Sequence, residues 1–175
     1  MCIRDSLYAG RFTDAEREFR TLRSLVGGGY NWYLGLTRLF TERPQEALAF
    51  FESIPADTGS AHRLAGRAVA LCDLGREADA RPLLEELVEV ARDSPTTLIT
   101  RAHAHCGKKD FVFEWFEQSL PARTRELQLE FPSPLYDAVR DDPRWEDILR
   151  RIGRSKEQVD AIDFSLDIAK AGLVD

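Results

Sequence analysis

The stretch Gly107-Lys108-Lys109-Asp110-Phe111-Val112-Phe113-Glu114-Trp115-Phe116 decides the fold, because its spacing recurs four times along the chain. A bend residue comes first: Gly10, Glu42, Gly75 or Gly107. Five residues on stands a slim side chain, Ala15, Ala47, Ala80 or Val112, and four further on a large apolar one, Phe19, Phe51, Leu84 or Phe116. The bends lie 32, 33 and 32 residues apart. A slim residue lets two helices approach closely, and the large one fills the gap toward the next unit. A helix-turn-helix unit cannot bury its apolar face alone, so neighbouring units must stack.

The remaining sequence fits this frame helix by helix. Thr13 and Glu16 make a T-x-x-E capping pattern ahead of Phe19, Leu22 and Val26, and Gly27-Gly28-Gly29 ends that helix. Trp32, Leu34, Gly35 and Leu36 open the second unit, where Pro44 suits the first turn of a helix and Pro55 ends it. The third unit runs from about Ala61 to Ala91, with Leu83, Leu84, Leu87 and Val88 on its second helix. Pro82 predicts either an N-cap at Asp79 or a kink there, since a mid-helix proline costs roughly 3 kcal/mol. The fourth unit begins after Pro95, and Val112, Trp115, Phe116 and Ser119 share a face that Pro121 closes. Leu127, Leu129 and Phe131 alternate with polar residues, which predicts an extended segment over 121–134. Asp142-Pro143 then starts a short helix with Trp145, Ile148, Leu149 and Ile152 on one side, ended by Gly153. Ser155 and Gln158 make a capping box for a last helix, whose Val159, Ile162, Leu166, Ala169 and Leu173 form a narrow apolar stripe.

Residues 7–120 resemble tetratricopeptide repeats, whose period is about 34 residues. Leu34-Gly35 falls where that family carries its Leu-Gly pair. The run from Trp115-Phe116 through Leu135-Tyr136-Asp137-Ala138-Val139-Arg140-Asp141-Asp142-Pro143-Arg144-Trp145 to Leu149-Arg150-Arg151-Ile152-Gly153 is similar to a recurring bacterial tail. Such tails close the repeat regions of winged-helix regulators, adenylate-cyclase-like proteins and serine/threonine kinases. The resemblance implies an all-α, right-handed α-solenoid of antiparallel helix pairs over 7–120, a linker over 121–134 and C-terminal capping helices over 135–175. Met1-Cys2-Ile3-Arg4-Asp5-Ser6 instead resembles a translated transposon-end sequencing adapter, so residues 1–6 are set aside from fold reasoning. The natural sequence is then expected to start near Leu7, inside a repeat, as the C-terminal part of something longer.

Composition narrows the function classes. At 175 residues the chain can bury a substantial core as one domain. Its 43% hydrophobic and 31% charged residues suit a folded protein, and a net charge of −6 argues against a nucleic-acid surface. No apolar run approaches the ~18 residues of a membrane span. Without Cys2, only Cys72 and Cys106 remain. Two cysteines do not make a disulfide framework, so small buried thiols and a reducing, cytoplasmic compartment are expected.

No catalytic constellation emerges, and none is expected of a solenoid. His103, His105 and Cys106 form an H-x-H-C cluster, but zinc needs about four ligands and no second Cys/His pair is present. No metal or other cofactor is therefore expected. Asp141-Asp142 reads as a helix cap and Glu85-Glu86 as a solvated face. Gly27-Gly28-Gly29 lacks the Lys-Ser/Thr partner of a phosphate loop, and Cys72 has no base nearby in sequence.

The repeat resemblance places certain side chains of each first helix in a concave groove. They are Trp32, Leu36 and Phe40, then His62, Val69 and Asp73, then Thr97, Arg101 and His105. With Asn31 as its one asparagine, the chain lacks the Lys/Asn clamp of the family's chaperone-tail class. The expected function is a protein-interaction scaffold, the docking or sensory region of a larger bacterial signalling protein, without enzyme activity. The alternative is a regulatory or oligomer-forming part of a cyclase or kinase. A protein or peptide partner is expected on Trp32, Leu36, Phe40, Val69, Arg101 and His105, with no nucleic acid and no membrane. If Trp32 anchors such a partner, its loss costs binding about 2 kcal/mol or more. If it packs between helices, the loss falls on stability instead.

Overall fold

Each bend of the repeating pattern reverses the chain through one residue in the left-handed region. Gly10, Gly75 and Gly107 have φ of 74°, 68° and 71°, and Glu42 takes the same turn at 58°. The amides after each bend close back on the helix just ended. At the third bend, for example, Gly75 N donates to Cys72 O at 3.0 Å and Arg76 N to Leu71 O at 2.9 Å. This paired pattern satisfies carbonyls that a helix end leaves open. Gly153, with φ of 74°, repeats it near the C-terminus.

The computed structural model describes residues 3–26, 30–92 and 97–162, and these are mostly helical with no strand. Helices α1 (Ile3–Tyr8), α3 (Asn31–Leu39), α5 (Ala56–Asp73) and α7 (Leu98–His105) are the first helices of four pairs. Their second helices are α2 (Phe12–Val26), α4 (Pro44–Glu52), α6 (Glu77–Ala91) and α8 (Lys109–Glu130). A 3-10 helix (Pro134–Val139), α9 (Pro143–Arg151) and α10 (Lys156–Asp160) follow. Every helix of the four pairs packs on its neighbour in sequence, and α5 also packs on both α3 and α7. Gly27-Gly28-Gly29, Pro95 and the stripe beyond Ile162 lie outside the described residues.

The slim and large positions do what their spacing predicts. Ala15, Ala47, Ala80 and Val112 are buried, as are Phe19, Phe51, Leu84 and Phe116. The tightest fit surrounds Phe51. A Cβ on Gly35 of α3 would come within 2.3 Å of Phe51 Cε1, and one on Gly66 of α5 within 2.2 Å of its Cδ1. Two glycines on different helices thus make the slot for one ring. Arg38 of α3 adds a polar lock, pairing with Glu16 of α2 and, at 3.3 Å, with Glu46 of α4.

Three local expectations change. Helix α2 starts at Phe12, one residue before Thr13, and Glu16 serves Arg38 rather than a capping box. Helix α6 runs from Glu77 through Pro82, so Asp79 lies inside the helix rather than at its N-cap and pairs with Arg76. Residues 121–130 are helical, so α8 passes through Pro121 and no extended segment covers 121–134. The alternation of Leu127 and Leu129 misleads because Arg125, Glu126, Gln128 and Glu130 between them are good helix formers. Elsewhere, Pro44 opens α4, Asp142 caps α9 through Arg144 N at 3.0 Å, and Ser155 with Gln158 forms the capping box of α10.

A second apolar cluster lies among α8, the 3-10 helix and α9. Phe116, Phe131, Tyr136 and Trp145 meet one another with ring centroids 4.5–6.4 Å apart. The Tyr136 hydroxyl reaches Thr100 Oγ1 of α7 at 2.7 Å, which joins this cluster to that helix. Arg140 donates to the Phe131 and Ser133 carbonyls at 3.0 and 3.2 Å and lies over the Trp145 ring.

Two substitutions test this packing by denaturant unfolding. In an open helix Gly→Ala gains about 1 kcal/mol, but Gly35→Ala should lose about 2 kcal/mol through collision with Phe51. In a Phe51→Leu background that loss should shrink by more than half. Glu42→Gly should stabilise the protein by about 0.5–1 kcal/mol, because it removes a side chain from a left-handed position.

Candidate functional site

The face shared by the first helices is the candidate site, and its centre is closed. Trp32, Leu36, Val69 and Arg101 are all buried, with Trp32 only 5% and Arg101 6% exposed. Phe40 and His105 are half-buried, and His62 and Asp73 are exposed. The expected anchors Trp32, Leu36 and Val69 therefore serve as core, and the side chains around them form the accessible part of the face.

Three helices converge on Trp32. Its ring packs on Phe51 at 5.5 Å and edge-on against His62 at 5.2 Å, and the Arg101 guanidinium lies 5.8 Å from its centre. Cation–π contact of this kind adds attraction without requiring an acid partner. Arg101 Nη1 also donates to the Tyr8 hydroxyl of α1 at 3.3 Å. One arginine of the fourth pair thus reaches the first and second. Phe40 packs on Phe12 at 6.3 Å, on the edge of the same face.

The seam between α5 and α7 holds the polar groups. His105 Nε2 donates to Asp73 Oδ1 at 2.7 Å. Asp73 and His105 each stand two residues before a bend glycine, so the repeat offset alone could have paired them. One residue from each, Cys72 and Cys106 form a disulfide with Cα atoms 5.5 Å apart. This corrects the expectation of two isolated thiols and removes the cysteine argument for a reducing compartment. Counting cysteines overlooks that stacking can set two distant ones side by side.

His103, His105 and Cys106 go to three separate partners. His103 stacks on Phe111 at 3.8 Å and donates from Nδ1 to the Ile99 carbonyl at 2.8 Å. Burial, partly offset by that carbonyl and reinforced by Lys108, holds its pKa below the ordinary histidine value and favours the neutral ring. No group of three or more metal-ligating side chains gathers among the described residues. Beside His103 lies a shallow cleft of about 370 Å³, with Leu84, Val88 and Phe111 as its apolar floor.

Three charged groups, Asp142, Arg144 and Arg151, are shifted outside this face. Asp142 falls to about 2 because the Arg144 side chain and amide hydrogen-bond to its carboxylate. That carboxylate is the N-cap of α9, so the shift belongs to helix capping. Arg151 is raised by its hydrogen bond to Glu117 of α8.

No protein-family model matches the chain, and no curated protein or solved structure shows significant similarity to it. Among the described residues, no helix is long and apolar enough to cross a membrane.

The location of Trp32 decides how its loss is felt. Trp32→Ala should lower unfolding free energy by about 3 kcal/mol or more, since a buried aromatic is removed. A urea titration checks this, and a loss below about 1 kcal/mol would place the ring outside the core.

Proposed function

We propose that the chain is a tetratricopeptide-like interaction scaffold, a right-handed stack of helix pairs in which the first helices together hold a segment of another protein. In this reading it is the docking or sensory region of a larger bacterial signalling or regulatory protein and has no active site of its own. The supporting observation is that α5 packs on α3 and on α7 as well as on its own second helix. Side-by-side first helices make one continuous surface, the architecture that repeat proteins use to hold partners.

Burial sharpens the proposal. In the closed form a partner is held through His62, Phe40, Asp73 and His105, which remain at least partly accessible. These groups offer an aromatic edge, an imidazole and a carboxylate, which suit a peptide with mixed apolar and polar side chains. Net charge of −6 favours protein over nucleic acid.

Photo-crosslinking in cells that express the chain tests the reading. A benzophenone amino acid at position 62 or 40 should capture the same protein, whereas one at the exposed Glu85 of α6 should not. Capture through position 85 alone, or no capture from the inner face, would reject a groove scaffold. Capture of a second copy of this chain would replace partner docking by self-association.

A further inference from the structure

We infer that Cys72 and Cys106 form a redox-operated clasp, which keeps the inner face closed when oxidised and releases α7 from α5 when reduced. Only the final step, that the released face takes a partner, rests on the scaffold reading above.

Cys72 is the penultimate residue of α5 and Cys106 the C-cap of α7, so the bond ties the C-terminal ends of two first helices. Helix α7 has eight residues, and Arg101 lies little more than one turn before the clasp. Arg101 is also the residue that covers Trp32 and reaches Tyr8. Movement of α7 away from α5 therefore carries away the group that closes the face.

Helix α7 is held on its other side as well. Thr100 bonds Tyr136 and His103 stacks on Phe111, so α7 is also attached to the C-terminal part of the chain. Apolar side chains divide into two clusters, with Leu98, Ile99 and Ala102 in the first and Ala104 in the second. The boundary runs through α7, beside the clasp. Once the bond is cut, the α5–α7 seam is held by the Asp73–His105 contact and apolar packing.

Both cysteines are half-buried, within reach of a dithiol reductant. A thiolate of that dithiol attacks one sulfur and forms a mixed disulfide, while the other cysteine leaves as thiolate. The second thiol of the reductant then displaces the first cysteine. Two electrons and two protons pass to the chain, giving two thiols, and the dithiol becomes a disulfide. A place for the reduced form exists already: Cys106 Sγ lies 3.7 Å from the Ala68 carbonyl of α5, which can accept from its S–H. In a reducing compartment such a bond persists only transiently, which is the regime in which it can signal.

Hydrogen exchange on the 175-residue chain, air-oxidised or treated with dithiothreitol, tests the clasp without any partner. Peptide mapping after alkylation should first find Cys72 linked to Cys106. Reduction should then speed amide exchange in α7 and α3 by about tenfold or more, with α2 and α9 little changed. Cys72→Ser/Cys106→Ser should show the reduced pattern and no response to dithiothreitol. Absence of the linked peptide, no change on reduction, or a uniform rise along the chain would each overturn the switch. Because no partner is used, failure to crosslink leaves the clasp standing, and a failed clasp leaves the scaffold proposal untouched.

Discussion

The ring of Phe51 is the constraint on which the middle of this molecule depends. It fills a slot whose two walls are glycine backbones, Gly35 on α3 and Gly66 on α5. No side chain larger than hydrogen fits on either wall unless the ring moves, and close-packed interiors yield little. The same ring supports Trp32, so the spacing of α3, α4 and α5 and the shape of the inner face are set by one contact network. A glycine in mid-helix costs about 1 kcal/mol in propensity. Here that cost secures close approach of two helices.

At the other end the same task is met with aromatic rings. Phe116 occupies the position equivalent to Phe51, but it faces Phe131, Tyr136 and Trp145 from the segments after the last pair. Stacking units leave an apolar face exposed at each terminus, and a different segment must cover it. The rings supply area with few rotatable bonds, and Arg140 ties down the carbonyls at the entry to the 3-10 helix. Thr100, which donates to the Thr97 carbonyl and meets the Tyr136 hydroxyl, links cap to repeat through a short buried chain.

Between these two clusters lies α7, and the functional proposals meet there. The helix carries Arg101 toward the inner face, His105 and Cys106 toward α5, and His103 toward α8. An eight-residue helix is too short to be stable alone, so tertiary contacts decide its position. Those contacts are of different chemical kinds: a cation over a ring, a carboxylate–imidazole pair, a disulfide and an aromatic stack. Of these, the disulfide is the one that a change of redox state can remove.

The repeating spacing by itself determined the helix pairs, the bends and the buried Ala/Phe positions, because these depend on contacts within a few turns. It identified Glu42 as a bend residue although glutamate is a poor guide to one, since the period carried the information. Caps at Asp142 and Ser155 were legible for the same local reason. The continuation of α8 through Pro121 was not, because the Leu127–Leu129 alternation matched a strand while the residues between favoured helix. Which first-helix side chains stay accessible was decided only in three dimensions. Trp32 and Arg101 have the composition of a binding face, but they bury each other across α5, and Tyr8 joins them from α1. Cys72 and Cys106 are ordinary thiols in sequence and a covalent link in the fold. The reason is common to both: contacts between helices far apart in sequence are set by how the whole set of helices packs, with α5 against both α3 and α7.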